Sequence, residues 1–285
     1  MKLPCLFVTD IHGNIEQYHK LFRLIEDTRP SAVFLGGDLL PSGIRQLTPA
    51  RGDFVNQFLA PGLQRIRDNL GDAYPRIFMI LGNDDGRYEE HAVFEAAARG
   101  IWDYCHSRVL TFHGYSVYGY AYVPPTPFQL KDWERYDVSR YVDPGCVSPE
   151  EGTRSIPVTP YEQKYTTIAR DLTELTEDAD LTRAVFLFHT PPYKTNLDRA
   201  ALDEVVVDYA PADVYVGSVA VREFIAERQP LLTLHGHVHE SPRITGSWQD
   251  RIGRTVCFSA AHDGKRLAVV HFDPARLDRA TRELY

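Results

Sequence analysis

Residues 3–38 read LPCLFVTDIHGNIEQYHKLFRLIEDTRPSAVFLGGD, and their pattern sets the fold. An apolar run at 3–9 ends in Asp10-Ile11-His12-Gly13, a segment with helical spacing follows at 15–26, and a second apolar run at 32–35 ends in Gly36-Gly37-Asp38. Short apolar runs closed by Gly, Pro or polar residues fit strands buried on both faces. Strand, helix and strand joined by short loops imply parallel pairing. The pattern continues through a helix-like segment at 54–69, an apolar run at 77–81 and a helix-like segment at 89–99, so the first third reads βαβαβα. Further buried-type runs occur at 184–188 and 231–234. Those at 109–112, 115–120, 254–258 and 267–272 look instead like antiparallel strands or strands of a second sheet. The expected fold class is α/β, a four-layer αββα sandwich of two mixed β-sheets flanked by helices.

The chain has 285 residues, 44% of them hydrophobic, enough to bury a large core as one big α/β domain or two small ones. No internal repeat or flexible linker marks a boundary, so residues 1–285 are expected to form a single domain. The segment at about 123–160 is different, holding Pro124, Pro125, Pro127, Pro144, Pro149, Pro157 and Pro160 with Trp133, Tyr136 and Tyr141. An irregular insertion of that length is usually functional or disordered. Its aromatic rings have two readings, stacking on a nucleotide base or anchoring a long loop.

With 31 Lys plus Arg against 39 Asp plus Glu, the formal charge is −8. Non-specific nucleic-acid binding needs a basic footprint, so nucleic acid is a poor candidate partner. Cys5, Cys105, Cys146 and Cys257 are widely spaced with no CxxC pair and read as reduced thiols. No apolar stretch approaches the roughly 20 residues that span a bilayer. The N-terminal run leads directly into polar residues and reads as a first strand rather than a signal segment. A cytoplasmic location without membrane association is the expectation.

Five short blocks share one layout, each placing His, Asp or Asn just after an apolar run: Asp10-Ile11-His12-Gly13, Gly36-Gly37-Asp38, Gly82-Asn83-Asp84-Asp85, His189, and Gly236-His237-Val238-His239. In open α/β sheets neighbouring strand ends converge on one rim, where ligands bind. Imidazole and carboxylate donors without cysteine suit borderline-hard divalent ions, Mn, Fe, Zn, Co or Ni. Period-two alternation along an extended chain would turn Asp10 and His12, and likewise His237 and His239, into one pocket.

The order DxHG, GGD, GNxD, a single His and GHxH resembles the calcineurin-like metallophosphoesterase superfamily, over a span from Asp10 to His239. His189-Thr190-Pro191-Pro192-Tyr193, Gly217-Ser218 and residues 234–241 are similar to a prokaryotic branch of predicted phosphoesterases. The resemblance implies a dinuclear site, with one ion on Asp10, His12, Asp38 and His239 and a second on Asp38, Asn83, His189 and His237. Asp38 would bridge them and offset the repulsion between ions roughly 3.5–4 Å apart. It further implies a hydrolase in which a hydroxide shared by the ions attacks phosphorus, with a small phosphate ester, a nucleotide among the candidates, as substrate.

Many phosphatases of this superfamily carry His after the Asn, where it assists the leaving group; here Asp84 stands there. A carboxylate is a poor proton donor at neutral pH, and facing the substrate it would disfavour a dianionic monoester more than a monoanionic diester. Phosphodiesters are therefore the expected substrates. The bland alternative turns Asp84 to solvent and makes Asp85 a supporting hydrogen-bond partner. His262 lies in a strand-to-turn segment that can reach the rim and supply the missing proton; it also reads as a structural group, as does His235. Arg87, Lys194 and Asn196 follow site blocks and are weaker candidates for phosphate contacts. The competing functions are a non-catalytic metal-binding scaffold for a protein partner and a phosphomonoesterase or protein phosphatase.

Overall fold

The computed structural model describes residues 2–44, 53–207 and 209–285. The alternation of the first third is present as β1 (Cys5–Val8), α1 (Ile15–Thr28), β2 (Ala32–Gly36), α2 (Ala60–Leu70), β3 (Arg76–Ile80), α3 (Glu90–Ala98) and β4 (Asp103–Tyr104). There follow β5 (Arg108–Phe112), β6 (Tyr115–Tyr120), α4 (Pro160–Tyr165), α5 (Ile168–Thr176), β7 (Ala184–Phe188), β8 (Val206–Val207), β9 (Ala210–Pro211) and α6 (Val219–Arg228). The chain closes with β10 (Leu232–His235), α7 (Ser241–Thr245), β11 (Gln249–Ile252), β12 (Thr255–Ser259), β13 (Ala268–Phe272) and β14 (Thr281–Leu284).

Among the described residues the strands form two six-stranded sheets, ordered β14-β13-β1-β2-β3-β4 and β11-β12-β10-β7-β6-β5, and a small β8-β9 ribbon. Both are mixed. β1 to β4 run parallel while β13 returns antiparallel to β1 and β14 antiparallel to β13. In the second sheet β6, β7, β10 and β12 are parallel, with antiparallel β5 and β11 at the edges. The central strands β1, β2, β7, β10 and β12 are buried along their whole length, which is why β1, β2 and β7 read as unbroken apolar runs.

Aromatic rings join the layers. Phe258 of β12 meets Phe272 of β13 at 6.3 Å, and Phe112 of β5 meets Phe78 of β3 edge-on at 5.7 Å, so the two sheets share one core. Behind the second sheet, Phe186 packs against Phe224 of α6; over the first, Tyr18 and Phe22 of α1 pack against Phe58 just before α2. The helix-like stretch at 54–69 enters α2 through a wide π-type turn, Val55–Leu59. Pro61 explains it, since the ring has no N–H and crowds the carbonyl four residues back, and a widened turn relieves both.

The 123–160 segment has isolated bridges, Val123 to Glu134 and Leu130 to Thr153, rather than long strands. It is anchored all the same. Trp133 is fully buried and Tyr136 nearly so, whereas Tyr141 is exposed. Lys131 and Glu134, both fully buried, pair at 2.5 Å, and Asp137 caps α6 by accepting from Ser218 Oγ, Val219 N and Ala220 N. Asp132 accepts from Arg87 N, which binds the segment to the loop after β3. No helix among the described residues is long and apolar enough to cross a membrane.

Candidate metal centre

The five sequence blocks follow β1, β2, β3, β7 and β10 and meet at one rim spanning both sheets. Backbone hydrogen bonds tie the loops together: Asp10 N donates to Gly37 O at 3.0 Å, His12 N to Asp38 O at 2.8 Å and Gly236 N to His189 O at 2.9 Å. Asp10 joins the two sheets, because its carboxylate accepts from His237 N at 3.0 and 3.2 Å. Asn14, accepting from Glu16 N and Gln17 N, starts α1 directly after the His12-Gly13 turn.

Strand parity is not what aims these side chains. Asp10, His12, Asp38 and His237 have φ of 56°, 48°, 50° and 71°, left-handed conformations outside the strands. Such backbone is costly for residues with a Cβ and is concentrated at functional sites. Close approach constrains two glycines. A Cβ at Gly82 would sit 2.4 Å from both Asp38 N and Asp38 Oδ1, and one at Gly236 would sit 2.2 Å from Thr9 Oγ1.

Two donor groups result. One donor atom from each of Asp10, His12, Asp38 and His239 lies within 4.8 Å of the others, and the same holds for Asp38, His189 and His237. Asp38 belongs to both, with Oδ2 3.3 Å from His189 Nε2 and 3.8 Å from His12 Nε2. Asn83 Oδ1 lies 3.1 Å from His189 Nε2 and joins the second group. Asp10, Asp38, Asn83 and His189 are buried; His12, His237 and His239 are half-buried, which leaves one side open.

The donor set fits divalent cations. Asp10 and Asp38 have imidazoles as their ion-pair partners, with no Lys or Arg paired to either among the described residues. Carboxylates buried in that way need positive charge from elsewhere. His189 Nδ1 lies 2.8 Å from Gly36 O; a carbonyl only accepts, so Nδ1 carries the proton and Nε2 faces Asp38 and Asn83. Orientation of a histidine through its outer nitrogen is the usual support of a metal ligand.

The electrostatics agree. Burial alone would lower His189, but Asp38 and Asp10 override it and hold the imidazole at about 9. His12 is likewise opposed by burial and raised to about 10 by its hydrogen bond to Asp84 and by Asp38 and Asp10. Asp38 goes the other way: burial would raise it, and His189 and His12 hold it well below the carboxylate range. His237, pushed down to about 3 by burial and by His189, is neutral and has a free lone pair. Protons on His189 and His12 thus balance the buried carboxylates of this donor set.

The remaining predicted residues divide. Asp84 Oδ2 lies 3.2 Å from His12 Nδ1 and Oδ1 accepts from Ser42 Oγ at 2.7 Å, so both oxygens are paired although the side chain is 30% exposed. Asp85 is fully buried and supports the Asp38 loop, accepting from Leu39, Leu40 and Gly82 N–H. His262 is half-buried and close enough to His239 for their charges to interact; burial and then Arg282 lower its pKa. His235 is enclosed, bonded to Thr190 O and Thr233 Oγ1 and stacked on Phe188, and burial pushes it down to about 4. Arg87 is taken up by Glu90 and Glu162. Lys194 Nζ lies over the Tyr193 ring, and Asn196 has its backbone N bonded to Asp250. Ser42 was not predicted. A serine four residues after Asp38 has no periodicity to reveal that it faces Asp84.

The profile of the family described as calcineurin-like phosphoesterase matches residues 3–241. The chain belongs to that family. Among curated proteins, none matches it. Among solved structures it is similar to one that aligns over 100% of both chains at 16% identity and a TM-score of 0.60. It is also similar to TT1561 of Thermus thermophilus, with 17% identity, 100% and 99% of the two chains covered and a TM-score of 0.57. A dimetal phosphatase from Danio rerio aligns over 100% of both chains at 10% identity and a TM-score of 0.49. At these identities the likeness is one of fold.

Proposed function

We propose that this protein is a dinuclear metal-dependent phosphoesterase acting on small phosphate diesters. One ion would be held by Asp10, His12, Asp38 and His239 and the other by Asp38, Asn83, His189 and His237, with residues 1–285 working as one catalytic unit. The observation that carries the reading is Asp38, whose Oδ2 is within reach of an imidazole from each group. A carboxylate in that position can serve two cations at once. Divalent ions held there would supply a hydroxide nucleophile at neutral pH and would offset charge that builds on the phosphoryl oxygens.

The chain's own residues provide the rest. Asp10 ties the His237 loop to the first sheet, Gly36 O and Asp84 orient two of the imidazoles, and Asp85 holds the Asp38 loop. Asn83 and His237 present neutral donors to the second group. His262, on the His239 side of the rim, is the candidate to give a proton to the leaving alcohol. The Asp84 carboxylate is 30% exposed. Its charge, partly open to solvent beside His12, would favour a monoanionic diester over a dianionic monoester.

The test is a comparison of bis(p-nitrophenyl) phosphate with p-nitrophenyl phosphate after metal-free protein is reloaded with Mn(II), with bound metal counted. Two ions per chain and faster diester turnover are expected. Faster monoester turnover would reverse the substrate assignment. No product with any of the five metals would favour a scaffold function, against which the full donor set argues.

A further inference from the structure

The two donor groups are supported differently. In the second, His189 Nδ1 donates to the backbone carbonyl of Gly36, which every residue at that position would provide. In the first, His12 Nδ1 meets the side chain of Asp84 at 3.2 Å, and Asp84 is itself held through both its side chain and its backbone. Its Oδ1 accepts from Ser42 Oγ at 2.7 Å, its N–H donates to Asp38 Oδ1 at 2.7 Å, and its carbonyl accepts from Gly43 N at 2.6 Å. Asp84 is therefore a fixed acceptor rather than a mobile acid.

A carboxylate only accepts, so the facing His12 Nδ1 carries a proton, and when the ring is neutral, as a metal ligand must be, the lone pair is left on Nε2. Nε2 is the nitrogen turned into the cluster, 3.3 Å from His239 Nε2 and 3.8 Å from Asp38 Oδ2. A charged acceptor on the outer nitrogen also makes the inner one a stronger donor than a neutral carbonyl would. His12 itself sits in a left-handed turn, φ 48°, and is half-buried, so its ring lacks the enclosure that holds His189.

We propose that Asp84, braced by Ser42, is a positioning residue that locks the tautomer and ring plane of His12 and so sets the affinity of the first ion alone. The second ion is independent of it. This rests on the reading that the two donor groups bind cations, given under Proposed function.

Calorimetric titration of metal-free protein with Mn(II) tests it in wild type, D84A, D84N, S42A, H12A and the double variant H12A/D84A. Wild type is expected to bind two ions in resolvable steps. D84A should weaken one step by about 10–100-fold and leave the other unchanged. D84N, which keeps the shape and one acceptor oxygen, should fall between, and replaces D84A if that variant does not fold. S42A should weaken the same step by less. Because Asp84 acts through His12, the double variant should be no weaker than H12A. Unchanged titration of D84A and D84N, equal weakening of both steps, or an added loss on the H12A background would overturn the proposal. Wild type that binds no manganese would overturn the metal reading itself, and the positioning role with it.

Discussion

In the 123–160 segment Lys131 and Glu134 are both fully buried and meet each other at 2.5 Å, whereas at the strand ends Asp10 and Asp38 are buried with imidazoles as their partners. The segment carries its own counter-charge. Burial pushes Glu134 up to about 7 and lowers Lys131; their mutual attraction opposes both shifts, and the Thr126 hydrogen bonds oppose that of Glu134. Among the described residues the rim has no Lys or Arg paired to these carboxylates, so their charge is balanced by protons or by metal. A charge balanced by a covalently attached partner is a structural device, while one left for a diffusible cation can do chemistry.

The comparison breaks most directly at Asp38. D38N removes the carboxylate common to both groups, and phosphoesterase activity should fall on the order of 10³-fold or more, with unchanged circular dichroism. Near-normal turnover would mean that the chemistry lies elsewhere. In the segment, K131M should leave metal uptake intact and cost about 3–5 kcal/mol in urea unfolding, because it strands a buried carboxyl. K131M/E134L should recover most of that loss, since an apolar pair of similar volume often replaces a buried ion pair at little cost. A K131M loss below about 1 kcal/mol would show that this pair is not a structural brace.

The smallest effect is also the most discriminating. His189 and His12 sit near 9 and 10 in the metal-free protein, above the unfolded value of about 6.5. A raised imidazole contributes stability that is complete below pH 6.5 and is lost as pH climbs through the folded value. Glu134, near 7, and Asp137, raised by burial to about 6, also favour the folded state most when protonated, and their contribution fades as pH rises from about 4 to 7. Metal separates the two regions. Bound ions need neutral imidazoles, so the gain in unfolding free energy on adding Mn(II) should be small at pH 6 and grow by about 1–3 kcal/mol toward pH 9. A metal effect equal at both pH values would mean that the ions do not replace those protons.

Much of this was legible in the chain. Residues 3–38 show the βαβ unit, and the buried central strands announce themselves as apolar runs. Helices α1 and α3 lie within two residues of the expected segments at each end. The short strands β4, β8, β9, β11 and β14 have no such run, because edge strands exposed on one side need little apolar sequence. The insertion gave a composition but no contacts; its prolines do not say that Trp133 is enclosed while Tyr141 is not.

At the rim the division is sharper. Donor types and their placement after strands are local properties, so Asp10, His12, Asp38, Asn83, His189, His237 and His239 stand out in order along the chain. Their aim is not local. It comes from left-handed turns at Asp10, His12, Asp38 and His237 and from glycines against which facing loops press, none of which alternation along a strand describes. The sequence by itself determined which strands exist and which chemistry follows each of them. Only the tertiary structure decided that Asp84 turns to His12 and Ser42, because that choice depends on which atoms two separate loops bring within about 3 Å of each other, a distance that no spacing in the chain encodes.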